Sequence, residues 1–358
     1  MASRLPDILP IEWPETSPAP SARADEGIDR AATLIRDGGL VAIPTETVYG
    51  LAADALDEEA VAKIFRAKGR PATNPLIVHV SDAAMARSLA SEWPASADAI
   101  TSHFWPGPVT VVVPRHPSVP DIVTAGGPTI ALRCPAHRLT RRLIERTGRP
   151  LAAPSANRSE SLSPTRATHV LESLGNRIDL ILDGGPCTHG IESTVVDCTT
   201  TPPRILRPGP VGRESLEAVI GGTVAIGPMT STPPAEPTRA PGAHARHYAP
   251  KTPLELAVDA PARVTELLQA GTRIGWLTRR PDDPSVHALA GSHQLIVVPM
   301  PDDPAAFAAA LYATLHALDH RDLARIICDM PPATEPWHAI HDRLTRAAHV
   351  PPPPSLSE

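Results

Sequence analysis

Only three lysines stand among the 33 basic residues of this chain, and one of them, Lys68, opens the densest cluster of candidate ligand groups. The run Lys68-Gly69-Arg70-Pro71 is followed by Asn74-Pro75-Leu76, and His79 lies in the adjoining apolar stretch. Two cations, an amide and an imidazole around one loop are what phosphate and carboxylate recognition requires: a guanidinium donates two hydrogen bonds in one plane, an ammonium acts as a point charge. Lys68 falls seven residues after Val61, on the apolar stripe Val61, Ile64 and Phe65 of a helix that Asp57 caps and Glu58 and Glu59 open. A lysine on that stripe either snorkels its head out of the core or points over a sheet edge into a site, and the spacing leaves both readings open.

Further segments offer polar atoms beside apolar stretches, where open α/β sheets place ligands. Pro44-Thr45-Glu46-Thr47-Val48-Tyr49-Gly50 supplies two hydroxyls and a carboxylate, or an ordinary turn. Leu151-Ala152-Ala153-Pro154-Ser155-Ala156-Asn157 sets Ser155 and Asn157 among small residues that let a ligand approach the backbone. Ser163-Pro164-Thr165 reads as the cap and first turn of a helix, which makes either an anion site or a plain cap without a ligand. Ile191-Glu192-Ser193-Thr194 and Arg207-Pro208-Gly209 add another hydroxyl and another cation. No GxxxxGK followed by Ser or Thr is present, so a nucleotide is held without a P-loop. His316 and His320 have a chelating spacing, but neither HExxH nor a third ligand accompanies them, and the expectation is a pair of surface histidines.

Periodicity gives the elements that must position these groups. Ile28, Ala31, Ala32 and Ile35 recur at helical spacing, Gly38-Gly39 stops the helix, and residues 40–43 read as a buried strand. Further strands are expected at 76–80, 109–113, 129–133, 151–153, 178–183, 194–197 and 205–206, with helices at 57–68, 137–147 and 164–174. The result is a mixed α/β domain over residues 23–222, after an extension, 1–22, expected to lie on the surface or stay mobile. Residues 223–250 are proline-rich and lack periodicity, as a semi-rigid linker does. Strand and helix patterns then alternate over 251–349, implying a small parallel sheet flanked by helices, before a tail at 350–358. This second domain is Rossmann-like in rhythm but has no GxGxxG.

Composition excludes several classes. A length of 358 residues favours two domains, and a net charge of -6 argues against a protein whose main task is coating nucleic acid. Hydrophobic residues at 42% suffice for a core, while 44 prolines stiffen the loops. Cys134, Cys187, Cys198 and Cys328 form no CxxC pair, which fits a reducing compartment. The first residues lack the basic start and apolar stretch of a signal peptide, and no run of 18 apolar residues occurs, so the expected location is the cytoplasm, away from membranes.

Taken in order, PTETVYG, KGRP with NPLI and His79, APSAN, SPT, GIESTVVD and ILRPG resemble the threonylcarbamoyl-AMP synthases with the YrdC-like fold, strongly over residues 25–215. APGAHARHYAP followed by an α/β tail resembles their long, two-domain form. The resemblance implies a YrdC-like mixed twisted sheet domain joined by the proline-rich linker to a smaller Rossmann-like α/β domain. It implies synthesis of L-threonylcarbamoyladenylate from L-threonine, bicarbonate and ATP with release of pyrophosphate, for modification of an adenosine beside the anticodon of tRNA.

Carried over by motif, Thr47, His79, Arg133, Ala153 and Ser193 surround L-threonine, with Arg133 suited to its carboxylate. Lys68, Arg70, Asn74, Thr129, Ser155, Asn157, Ser163 and Arg207 surround ATP, and Lys68 and Arg70 are the residues expected to carry catalysis. In-line transfer at phosphorus asks mainly for positioning and charge stabilisation, so no nucleophilic serine is expected. Magnesium is expected to arrive with the nucleotide, because no carboxylate cluster marks a protein-built site. The implied partner is the tRNA-modifying threonylcarbamoyl transferase complex that consumes the adenylate.

The linker departs from the family. Ala240, Ala243, His244 and Ala245 replace its serine, methionine, basic residue and first tyrosine, while Pro241, Gly242, Arg246, His247 and Tyr248 remain. Because a reactive mixed anhydride needs shielding from water, residues 240–250 are expected to fold over the nucleotide with His247 or Tyr248 touching ATP; the alternative is a passive spacer. Two rival functions are an RNA-binding module without catalysis, weakened by the net charge, and a carbamoyl transferase of the hydrogenase-maturation type, whose paired-cysteine zinc motifs are missing.

Overall fold

The computed structural model describes residues 5–13, 16–17, 19–227 and 248–348. The chain divides into two compact units: the described residues up to Ser159 with 163–227, and 160–162 with 248–348.

In the first unit the apolar stretches pair into one mixed sheet. Its strands are β1 (Asp7–Pro10), β2 (Val41–Ile43), β3 (Gly50–Asp54), β4 (Ile77–His79), β5 (Val109–Pro114), β6 (Thr129–Arg133), β7 (Leu151–Ala152), β8 (Leu180–Asp183), β9 (Thr194–Asp197), β10 (Arg204–Arg207) and β11 (Ala225–Ile226). Their spatial order is β1-β8-β2-β3-β7-β4-β6-β5-β9-β10-β11. Pairs β2–β8, β4–β6 and β5–β9 are parallel, whereas β2–β3, β4–β7 and β5–β6 are antiparallel.

The helices Ala22–Arg36 and Arg138–Thr147 pack Ile28, Ile35, Leu139 and Leu143 against Val41, Ile43, Leu151, Leu180 and Leu182 of one sheet face. On the other face Val61 and Ile64 of Glu58–Lys68, Ile100 of Ala95–Phe104, Val170 of Ala167–Leu174 and Leu216 of Arg213–Ile220 cover Leu51, Ala53, Val78, Val111 and Val196. Ile77, Val112, Ala131 and Val195 form a separate small apolar patch, with Leu206 partly buried against it.

Two local expectations are corrected. The proline-rich beginning is not merely a surface extension: β1 pairs in parallel with β8, Asp7 opposite Leu180, and Ile11 is buried against the helix Ala22–Arg36. Pro10 ends β1, and prolines are tolerated at such an edge. The helix expected from Pro164 begins instead at Ala167, and its cap residue is Arg166 and not Ser163. The carbonyl of Pro164 accepts a hydrogen bond from the Tyr49 amide at 2.8 Å, which ties residues 163–165 to the sheet.

The second unit holds a parallel sheet of β12 (Leu254–Ala257), β13 (Ile274–Thr278), β14 (Leu295–Pro299) and β15 (Arg325–Asp329) in the order β12-β15-β13-β14. Asp259, Asp283 and Asp303 each cap a helix with proline in its first turn, the pattern that starts a helix cheaply after a strand. The expected alternation of strands and helices is present.

Candidate functional site

Side chains alternate across a strand, so the register decides which residues share a face. His79 stands opposite Arg133 and Ile77 opposite Ala131; Val112 faces Ala131, Pro114 faces Thr129, and Thr110 faces Val195. Thr129, Ala131, Arg133, Ile77, His79, Thr110 and Val112 therefore share one face, with the apolar patch as its floor. The predicted threonine residues His79 and Arg133 lie there side by side at the ends of β4 and β6, and the predicted ATP residue Thr129 lies on the same face at the opposite end of β6.

Arg133 is the centre of one cluster. It is 3% exposed, and its Nε donates to Gly107 O at 3.3 Å, its Nη1 to Thr47 Oγ1 at 2.8 Å and its Nη2 to Glu46 Oε1 at 2.6 Å. Thr45 makes this geometry firm: its hydroxyl donates to Val48 O at 2.6 Å and accepts from the amides of Thr47 and Val48. Burial pushes the Glu46 carboxyl up, but the Arg133 charge and hydrogen bond outweigh that and hold it below its usual range. Burial, helped by the Arg133 charge, pushes the His79 pKa down to about 3, so the ring is neutral at pH 7. Its Nδ1 and Glu46 Oε2 are buried without a hydrogen-bond partner. Glu46 also walls a cleft of about 820 Å³ whose other sides include Trp13, His137 and Gly184; none of the predicted site residues lines it.

Lys68 ends the helix Glu58–Lys68, closed by Gly69 in the left-handed conformation. It does not snorkel. At 2% exposure its ammonium donates to Ser155 O, to Asn157 O at 2.5 Å and to Asn157 Oδ1 at 3.4 Å, fastening the APSAN loop. Burial lowers its pKa well below the usual lysine value, and the neighbouring charge of Arg70 lowers it further. Arg70 Nε and Nη2 donate to the carbonyls of Asn74 and Pro75 at 3.2 and 2.8 Å. The Asn74 side chain, 1% exposed, has no hydrogen-bond partner on either its amide nitrogen or its oxygen.

A third cluster joins Ser193 and Arg207. Arg207 Nε and Nη2 donate to Ser193 O at 3.1 and 3.0 Å, and the Ser193 hydroxyl lies 2.8 Å from that of Thr110. Gly209 permits this approach, since a Cβ there would stand 2.3 Å from the Thr194 amide nitrogen. Ser163, fully buried, donates to Glu192 Oε1 at 2.5 Å. Ala153 is buried and its amide bonds to Ile77 O at 3.0 Å, placing its backbone beside β4. Tyr248 belongs to the second unit, where its ring stacks on Tyr312 at 6.0 Å and under Arg343 at 4.9 Å. His247 and the rest of residues 240–247 lie outside the described residues.

Sequence reasoning named Glu46 as a carboxylate beside a strand but gave it no role. Its bond to Arg133 spans 87 positions, a pairing that only the sheet register reveals.

Residues 33–209 match the Sua5/YciO/YrdC family model, described as telomere recombination, and 211–349 match the threonylcarbamoyl-AMP synthase C-terminal domain. The threonylcarbamoyl-AMP synthase of Bacillus subtilis is 41% identical over 334 residues, 90% of this chain and 93% of that one. That of Pyrococcus abyssi is 49% identical over 231 residues, 64% and 67% of the two chains. The crystal structure of P. abyssi Sua5 complexed with L-threonine superposes with a TM-score of 0.84 at 37% identity, covering 96% of this chain and 97% of that one. With both family models matched in tandem and relatives this similar over nearly the whole length, the chain belongs to the two-domain threonylcarbamoyl-AMP synthase family.

Proposed function

We propose that this chain is an enzyme that joins L-threonine, bicarbonate and ATP into L-threonylcarbamoyladenylate, a nucleotidyl transfer that releases pyrophosphate and supplies tRNA modification. The observation that carries the reading is the placement of Arg133, Thr47 and His79 on one sheet face with Thr129 and beside the Ser193–Arg207 cluster. The neighbouring Lys68–Arg70–Asn74 segment lies at the head of β4.

Arg133 suits the threonine carboxylate, because one N–H on each terminal nitrogen is not engaged by the three bonds described. Neutral His79 offers a ring nitrogen to the hydroxyl or amine. The free amine takes up carbon dioxide from bicarbonate as a carbamate. A carbamate oxygen then attacks the α-phosphorus, the bond to the bridging oxygen breaks, and pyrophosphate carries away the electron pair. Lys68, Arg70 and Arg207 supply positive charge toward the phosphates, and Asn74, Ser155, Asn157 and Ser163 supply polar contacts.

The predicted ATP residues are cations, amides and hydroxyls, a donor set that neutralises phosphates and leaves magnesium to ligands from the nucleotide itself. Glu192, bonded to Ser163, is the carboxylate attached to that set. Magnesium, when bound, withdraws charge from the phosphates. We assign the transferase complex as the consumer of the product and the cytoplasm as the location. Among the described residues no helix is long and apolar enough to cross a membrane.

Pyrophosphate release from ATP, with L-threonine and bicarbonate omitted in turn, tests this function. Release is expected only with both present; equal release without an amino acid would overturn it.

A further inference from the structure

The buried pair Arg133–Glu46 is the least expected feature of the site, since Arg133 was assigned to the substrate carboxylate and already carries a protein carboxylate. Glu46 does not exhaust the guanidinium. Three of its five N–H groups are engaged, by Gly107, Thr47 and Glu46, which leaves one on each terminal nitrogen for an incoming carboxylate. Glu46 neutralises the charge of Arg133, and that has a consequence for an amino acid bound there. A zwitterion brings an ammonium one carbon away from its carboxylate, and a buried cation requires an anionic acceptor.

Oε2 of Glu46 meets this requirement. It is buried, no donor meets it in full hydrogen-bond geometry although the Ala136 and Glu46 amides stand near enough to help hold the carboxyl ionised, and it shares a carbon with the Oε1 that Arg133 holds. Two other orphaned atoms stand near Glu46, His79 Nδ1 and His137 Nδ1; both belong to imidazoles whose pKa burial lowers and are the weaker acceptors for a cation. The geometry points to Glu46 as a substrate-binding residue: its free carboxylate oxygen accepts the α-ammonium of the amino acid whose carboxylate Arg133 grips. This rests on the reading of the site as an L-threonine site. The role is holding and orienting the amine; a carboxylate stabilised by an arginine is a poor base, and the ammonium proton goes to the hydroxide left when bicarbonate yields carbon dioxide, while the proton lost as carbamate forms passes to solvent.

Titration calorimetry of the full-length protein with L-threonine and with 3-hydroxybutanoate of matching configuration, which lacks the ammonium, tests the proposal. A charge-assisted bond makes threonine the tighter ligand by about tenfold to a hundredfold in the wild type. Glu46→Gln keeps an acceptor for Arg133 but turns an amide donor toward the ammonium, so this preference is expected to collapse while the analogue binds as before. Retention of the full preference, or equal weakening of both ligands, would overturn the proposal. If Glu46→Gln does not fold, the wild type decides: threonine binding at pH 7, measured in buffers of different ionisation enthalpy, is expected to release no proton, and release of about one proton per threonine overturns the assignment. No threonine binding by the wild type at all overturns the underlying reading instead.

Discussion

Lys68 has two claims upon one ammonium. It holds the backbone carbonyls of Ser155 and Asn157, and in the proposed complex it faces phosphates. Lys68→Ala therefore removes charge stabilisation and a loop fastening together. We expect activity to fall roughly a hundredfold or more, as for loss of one transition-state donor. We also expect stability lowered by about 1–3 kcal/mol, read as a lower melting temperature, from carbonyls left without donors. Unchanged pyrophosphate release by the variant would refute the phosphate role. Arg70→Lys should also be poor, because an ammonium cannot replace a fork that spans the carbonyls of Asn74 and Pro75.

His79 gives a pH prediction. Its pKa is lowered to about 3 from 6.5, so between those values the unfolded chain takes a proton that the folded chain refuses. Stability is fully present above pH 6.5 and declines as pH falls, by at most about 1.4 kcal/mol per pH unit for one such group. His137 and His189, also lowered by burial, add to the slope, and Glu46, lowered below 4.5, adds to it further down. His79→Gln should melt lower at pH 7 yet show a shallower decline between pH 6.5 and 4; an identical slope would locate the proton uptake elsewhere. The grouping of Lys68, Arg70, Asn74 and His79 was legible because they are near neighbours in the chain. The Glu46–Arg133 bond was not, since it depends on which strands meet.

At the scale of elements, β5 and β6 were legible because their β-branched and aliphatic residues alternate or run without interruption. Strand β3, Gly-Leu-Ala-Ala-Asp, was not, because glycine and alanine are weak strand formers and burial between neighbours decides its state. Ser163 misled for a related reason: a cap followed by proline is a sound local signal, but the sheet claims the Pro164 carbonyl first. Gly209 shows how tightly elements are spaced here. Gly209→Ala would place a methyl 2.3 Å from the backbone of Thr194, where nothing flexible can give way. We expect a loss of stability on the order of 3 kcal/mol, read as a lower urea midpoint. Activity should fall with it, because the displaced strand carries Ser193 away from Arg207. A wild-type midpoint would show that the turn relaxes freely.

For the whole molecule, the division into a mixed-sheet unit and a parallel-sheet unit was legible in the change of rhythm across the proline-rich segment. What that segment does was not legible, because prolines encode stiffness and not destination. If it closes over bound nucleotide, ATP with threonine should protect Arg246 from limited proteolysis. Equal cleavage with and without ligands would make it a spacer.

The pairing of β1 with β8 sets a schedule for the nascent chain. Asp7 lies opposite Leu180, so β1 leaves the ribosome without its partner, which is complete only when residues 180–183 follow. At roughly 5–20 residues per second that wait is on the order of 10–35 s. During it a short strand with a free edge is exposed to other chains. The brevity of β1, four residues ending in proline, keeps that waiting edge a poor template for misassembly.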